Sequence, residues 1–302
     1  MISAERLRVV AIPLALVAFA SNSLLCRRAL GTGVIDPGAF TLIRLLSGAL
    51  TLALLARGQR TESRAGEPGP WAGAAALFFY AAAFSFAYVR LPAGVGALVL
   101  FAATQATMIG WGIHRGDRPG GREWLGILIA FGGLVGLAAP GRTAPDGVGV
   151  GLMLVAGAAW GAYSLLGRSA PNAIVSNARA FARAVIPAAL VALLPGTAHT
   201  LSSEGVLLAV ISGAVTSGIG YSLWYAALPH LTRSRAAAIQ LMVPVIAAGA
   251  GVVFLGEAVT WRLAVAGVVI LAGVTLARPV SARPVFRTAE ALRKTGREEG
   301  MS

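Results

Sequence analysis

Side chains with hydrogen-bonding chemistry are rare inside the long apolar runs of this sequence, which makes the few that occur there informative. Asn22 stands in VAFASNSLLC, Gln105 in ALVLFAATQATM and Gln240 in AAAIQLMVPV. An amide in such surroundings is costly without a partner, so each must either bond a neighbouring helix or meet a ligand. Rings accompany the amides at helical spacing, and positions three or four apart share a face. Ala15, Phe19 and Asn22 form one stripe, and Trp160, Tyr163 and Ser164 another. Tyr80, Phe84 and Tyr88 form a third, matched by Ser217, Tyr221 and Trp224. Phe101, Gln105 and Met108 correspond to Ala236, Gln240 and Pro244.

A cavity walled by rings with a few amides suits a small zwitterion with an apolar side chain. The rings cover the side chain, while amides and helix-end dipoles meet the carboxylate and ammonium. The candidate binding residues are Phe19, Asn22, Tyr80, Phe84, Phe101, Gln105, Trp160, Tyr163, Tyr221 and Gln240. Ordinary packing or an interfacial belt competes as the account of any single ring, and Tyr88, Trp71 and Trp261 read as belt residues. For the amides, helix-to-helix bonding weighs equally with ligand binding.

Ionisable groups are placed differently. All twelve acidic residues fall in expected loops, helix ends or tails, as do His114, His199 and His230. No span carries a carboxylate that could bind a coupling ion, so a solute path through these helices is expected to run uncoupled. Glu257, at a helix end beside Arg262, reads as structural. Arg44, Arg179 and Arg183 fall within spans near their ends, and snorkelling is the preferred reading. The alternative is that Arg44 pairs with a substrate carboxylate or with helix-end carbonyls. Cys26 is the only cysteine, which excludes an intramolecular disulfide and a Cys-based zinc site. No catalytic residue, metal site or cofactor is expected.

The elements that must position these residues follow from composition. Of 302 residues, 57% are apolar and 12% charged, about half the charge of a soluble domain. A bilayer core about 30 Å thick takes roughly 20 apolar residues per helix. Ten such runs are present, near 9–26, 39–56, 71–90, 93–113, 124–140, 147–167, 173–195, 205–227, 234–256 and 261–277. The fold class is therefore an all-α membrane protein with ten transmembrane helices and little room for a soluble domain. Arg6 and Arg8 before the first run resemble the start of a secretory signal. An internal match argues that the segment is retained.

Basic residues alternate in density between successive loops. Most of the 25, including Arg57, Arg60, Arg115, Arg122, Arg233 and the tail from Arg278 to Arg297, collect on one side. Arg27, Arg28, Arg90, Arg142 and Arg262 occupy the other. The bias predicts both termini in the cytoplasm. The net charge of +13 is thus a topology signal, with no nucleic-acid partner implied and the lipid bilayer as the expected surroundings.

The ten runs divide into two fives. LVAFASNSLLCRRA (16–29) aligns with VAGAAWGAYSLLGRSA (155–170), placing Phe19 on Trp160 and Asn22 on Tyr163. FSFAYVRLP (84–92) matches YSLWYAALP (221–229), placing Phe84 on Tyr221. A repeat of five spans makes the second copy enter from the opposite side, so residues 1–140 and 141–278 read as inverted repeats, followed by a basic cytoplasmic tail at 279–302. Inverted repeats recur in secondary transporters, with the site near the midplane between them. Close helix approach is expected at the pairs Gly157/Gly161 and Gly132/Gly136. Pro187 and Pro244 mark possible kinks, and Pro13 a helix start. Pro244 is the expected hinge, and Trp224 a gate.

QLMVPVIAAGAGVVFLGEAVTW (240–261), with a mid-helix Pro, a Gly-Glu pair and a Gly-rich last helix, resembles the end of an EamA repeat of the drug/metabolite transporter superfamily. The first half has Thr104-Gln105 and Gly116-Asp117 at the corresponding places. The aromatic residues Phe19, Tyr80, Trp160 and Tyr221 are similar to those of bacterial aromatic amino acid exporters of the YddG kind. The resemblance implies a ten-helix carrier in the bacterial inner membrane, functional as a monomer and exporting aromatic and other neutral amino acids. A carrier of lipophilic drugs, nucleotide sugars or lipid-linked sugars shares the fold, but phosphorylated cargoes favour a basic cavity. A membrane enzyme would need a catalytic constellation at membrane depth, and a sensor an output domain; neither is visible.

Overall fold

Helix-capping residues mark where the apolar runs begin. Asp36 accepts hydrogen bonds from the Gly38 and Ala39 amides at 2.8 and 2.9 Å, with Pro37 at the first helical position. Asn172, Ser202 and Thr260 cap three later helices in the same way. The computed structural model describes residues 4–59, 71–116, 119–141, 144–167, 170, 172–193, 200–227 and 239–277. The expected basic tail and Ala236 lie outside these residues.

The described residues form ten helices: α1 (Ala4–Gly31), α2 (Pro37–Leu55), α3 (Ala72–Tyr88), α4 (Ala93–His114), α5 (Gly121–Ala138), α6 (Gly147–Gly167), α7 (Ala173–Ala192), α8 (Ser203–Ala227), α9 (Met242–Leu255) and α10 (Trp261–Leu276). Seven are long and apolar enough to cross a membrane, while α3, α9 and α10 are shorter. The 14 residues of α9 span about 21 Å at 1.5 Å per residue. Among the described residues there is no strand, only an isolated bridge between Ile35 and Leu201. The chain is a multi-pass, all-helical membrane protein.

Large apolar side chains on the outward faces support this reading. Phe79, Phe131, Leu190, Phe254 and Val268 are all more than half exposed, a surface that water would not tolerate on this scale but lipid covers. Inside, α1 lies against α8 and α9, and α4 against α6 and α9. Helix α3 packs on α6, α2 on α7 and α8, and α5 on α10. Apolar burial gives little drive to associate helices in lipid, so close backbone approach does much of the holding. A Cβ on Gly157 would stand 2.5 Å from the Leu100 carbonyl oxygen, and one on Gly161 2.9 Å from Thr107 Cβ. The expected α6 glycine pair therefore faces α4.

Three expectations are corrected by the packing. A Cβ on Gly132 or Gly136 would meet no neighbouring helix within 4 Å; Gly126 and Gly273 instead bring α5 and α10 together backbone to backbone. Pro13 lies ten residues into α1, inside the helix, because the helix extends through Arg6 and Arg8. Tyr88 is fully buried and donates to the Ala93 carbonyl at 3.3 Å, so it is no belt residue, whereas Trp71 and Trp261 are 54% and 75% exposed.

Helix α8 departs from α geometry in its middle. Residues Ser212–Ile219 form a π-helical segment, a wider turn that recurs at functional sites. Gly213 there lies directly on the Arg44 carbonyl and Ser47, leaving no room for a side chain. The π segment is thereby seated on α2.

Candidate functional site

Five helices converge their rings at the centre of the bundle. Phe19 of α1 meets Trp160 of α6 edge-on at 6.4 Å between centroids, Tyr221 of α8 at 5.7 Å and Trp224 at 5.9 Å. Trp160 touches Tyr80 of α3 at 4.9 Å and Tyr221 at 5.0 Å. Tyr80 and Phe84 lie 5.3 Å apart. Phe19, Tyr80, Phe84, Trp160 and Tyr221, with Asn22, Ser23, Leu100 and Phe101, line a cavity of about 20 Å³ of water-centre space, and Trp224 lies outside it. Such a cavity takes a water molecule but not an amino acid, so a larger ligand requires the rings to move apart.

One wall of the cavity is polar, and Asn22 is its centre. Asn22 Oδ1 accepts from Ser212 Oγ at 2.6 Å and Thr216 Oγ1 at 3.1 Å, both on the π segment. Its Nδ2 donates to Tyr80 Oη at 3.4 Å. Tyr80 Oη also accepts from Arg44 Nη2 at 3.0 Å, and Arg44 Nε donates to Ser217 Oγ at 3.4 Å. The guanidinium carbon sits 5.2 Å from the Tyr80 ring centre and 5.1 Å from that of Phe84. Arg44 is 1% exposed.

This arrangement overturns the snorkelling account of Arg44. The residue stands eight positions into the nineteen of α2, turned inward onto α3 and α8, too deep and too enclosed to reach an interface. Arg179 is exposed, and Arg183 lies partly buried with its guanidinium 5.9 Å from the Trp71 ring centre.

The EamA-like transporter family is matched over residues 147–278. An uncharacterized protein of Pseudomonas aeruginosa is 49% identical over 263 residues, 87% of this chain and 91% of that one. This chain belongs to the EamA-like transporter family. An "uncharacterized transporter" of Archaeoglobus fulgidus is 28% identical over 191 residues, covering 62% of this chain and 68% of that one. A "probable amino-acid metabolite efflux pump" of Salmonella typhimurium is 27% identical over 210 residues, covering 63% and 70%. A solved structure shares the fold at a TM-score of 0.63 and 20% identity, covering 90% of this chain and 99% of that one.

Within this EamA-like fold, Phe19, Asn22, Tyr80, Phe84, Phe101, Trp160 and Tyr221 meet at the cavity. Tyr163 does not: its hydroxyl turns to Asn177 Oδ1 at 2.5 Å, and its ring backs Trp160 at 5.7 Å. Gln105 is buried one turn beyond Phe101, outside the cavity wall, with Nε2 unpartnered. Gln240 is buried just before the chain turns at Leu241. Pro244, expected in mid-helix, is the third residue of α9. Having no N–H, it cannot bond the Gln240 carbonyl, which accounts for the interruption there.

Glu257 is structural in its contacts, but its partner differs from the expected Arg262. It pairs with Arg27 at 3.3 Å and accepts the Ala93 amide at 2.8 Å, holding the start of α4. Arg262 donates to the Ala139 carbonyl instead. The lesser of the two readings of Arg44, as a partner for a substrate carboxylate, is the one its position favours, while Ser23, Leu100, Ser212 and Thr216 escaped the choice of candidates. A charge in FTLIRLLSGAL was the available signal for Arg44. In SGAVTSG only Ser217 falls on the stripe of Tyr221 and Trp224, and nothing in the sequence distinguishes Ser212 and Thr216 from small packing residues.

Proposed function

We propose that this transporter exports neutral amino acids, aromatic ones foremost, from the bacterial cytoplasm by uncoupled alternating access, in the manner of exporters of the YddG kind. The ring cluster of Phe19, Tyr80, Trp160 and Tyr221 around a cavity with a polar wall at Asn22 carries this reading. Rings drawn from α1, α3, α6 and α8 favour cargo with an apolar body. The relative from Salmonella typhimurium bears a name of the same cargo class.

Residues 1–140 and 141–278 act as two inverted repeats, with both termini cytoplasmic and residues 279–302 as a tail. The packing supports this: exchanging each helix with the one five positions later turns the α1–α8 contact into α6–α3, and α1–α9 into α6–α4. The pairs α2–α7 and α5–α10 map onto themselves. Interconversion of the two repeats opens the small central cavity to one side or the other, with Pro244 as the hinge and Trp224 beside Phe19 as a gate. The monomer suffices, since the cavity lies within one chain.

Purified protein in liposomes preloaded with phenylalanine, threonine or methionine should take up the labelled amino acid by counterflow, at a rate indifferent to an imposed pH gradient. Absence of exchange with all three amino acids overturns the cargo. Strong acceleration by the gradient overturns the uncoupled mechanism.

A further inference from the structure

Among the described residues, Arg44 is a buried cation without an anion. An arginine keeps its proton in proteins and offers five N–H donors. Its identified partners here, Tyr80, Phe84 and Ser217, and its titratable neighbours Cys26 and Tyr221 are groups that are ordinarily uncharged at neutral pH, and Nη1 is buried with no acceptor. The acid nearest in its own helix, Asp36, lies eight residues earlier, about 12 Å along the axis, and is engaged as the α2 cap. Glu204, Asp146 and Glu257 pair with Arg28, Arg90 and Arg27, and Glu123 accepts the Gly120 amide at the start of α5. Among the described residues nothing neutralises Arg44. Tyr221 Oη, on the cavity wall, is also buried and makes no hydrogen bond of normal geometry, with Tyr80 as its polar neighbour.

The two rings that cover the guanidinium, Tyr80 and Phe84, are themselves cavity walls. Any movement that enlarges the cavity past them exposes Arg44 to its contents. A carboxylate supplies the missing charge and matches the planar guanidinium fork with two parallel hydrogen bonds. Nothing comparable awaits an ammonium group: among the described residues no carboxylate lines the cavity, and Asn22 Oδ1 is already engaged by two hydroxyls.

We propose that Arg44 is the carboxylate anchor of the cavity, and that the site selects small apolar or aromatic carboxylates whether or not they carry an amino group. Amino acids are then one subset of the cargo. This rests on the reading of the central cavity as the transport site.

The test is competition with counterflow of labelled phenylalanine in proteoliposomes, run in parallel with labelled 3-phenylpropionate as the flux probe. In the wild type, 3-phenylpropionate competes at least as well as phenylalanine, while phenethylamine and phenylalaninamide compete about tenfold more weakly or worse. Arg44→Gln loses the preference for acid over amide, and Arg44→Lys keeps the preference with a raised KM. An amine or amide that competes as well as the acid, or Arg44→Gln that retains the preference, overturns the assignment. If 3-phenylpropionate is carried and phenylalanine is not, the amino acid cargo falls and the anchor stands. Should neither be carried, thermal unfolding of the wild type in detergent decides: stabilisation by 3-phenylpropionate but not phenethylamine supports the anchor, and stabilisation by neither overturns it. Should Arg44→Gln fail to fold, the wild-type ranking of competitors is itself the test.

Discussion

Arg27, near the end of α1, holds Glu257, beyond the end of α9, across 3.3 Å, and the same carboxylate accepts the first amide of α4. Three helix ends from distant parts of the chain are thereby tied at one face. Arg27 also donates to the Tyr88 carbonyl at 3.1 Å, adding the end of α3. Glu257→Ala removes the ion pair and leaves the Ala93 amide without its charged acceptor. It should cost about 1–3 kcal/mol, read as a lower melting temperature in detergent, whereas Glu257→Gln, which can still accept from the amide, should cost less. Equal losses from both substitutions would deny the amide bond its share.

The two glycine pairs make opposite predictions. Gly157→Ala places a methyl 2.5 Å from both Ala103 Cβ and the Leu100 carbonyl oxygen, forcing α4 and α6 apart. A loss of about 1–3 kcal/mol is expected from such overpacking. Gly132→Ala meets nothing within 4 Å and removes a flexible residue from the interior of α5. It should be neutral or stabilise by about 0.5–1 kcal/mol. Melting temperatures of the two variants, measured side by side, check the contrast.

Trp160 is the hub of the ring cluster, in contact with Phe19, Tyr80, Tyr163 and Tyr221. Trp160→Phe keeps a ring and should keep most of the counterflow of phenylalanine. Trp160→Ala should reduce it about tenfold or more, since an aromatic contact is worth about 0.5–1.5 kcal/mol beyond its buried area and several are lost together. Initial rates at matched protein incorporation are the measure. A Trp160→Ala variant that folds and carries phenylalanine like the wild type would remove the ring cluster from the site.

What could be read in the sequence follows from what hydropathy and period encode. The limits expected for α6 match those observed, and α4 differs by one residue, because an apolar run of span length has little else to become. Phe19, Tyr80, Trp160 and Tyr221 were legible as a group because the helical period puts them on inward stripes. Their mutual contacts needed the packing of four helices. The depth of Arg44 was illegible for a different reason: distance from a helix end does not say which way a long side chain turns. The π segment was hidden as well, since a change of hydrogen-bonding register leaves no mark in composition. Without it, the approach of Ser212 and Thr216 to Asn22 has no precursor in the sequence. The glycine spacing misled at α5 because GxxxG states a separation along a helix, not which neighbour it faces.

Asn22→Asp supplies the anion that Arg44 lacks. Asn22 Nδ2 and Arg44 Nη2 converge on the same Tyr80 oxygen at 3.4 and 3.0 Å, so a carboxylate at position 22 is one hydrogen bond removed from the guanidinium. It can accept from Ser212 and Thr216 as the amide does, and the Tyr80 hydroxyl can turn to donate to it. With an internal counter-charge in place, a carboxylate cargo brings less electrostatic gain and meets repulsion besides. Competition by 3-phenylpropionate should weaken about tenfold, while competition by the uncharged phenylalaninamide analogue 3-phenylpropionamide changes little. The substitution also puts a carboxyl group into a cavity wall that has none among the described residues. Counterflow in this variant should become sensitive to an imposed pH gradient to which the wild type is indifferent. Equal weakening of acid and amide would show that Asn22→Asp acts through shape, and would separate Asn22 from the charge of Arg44.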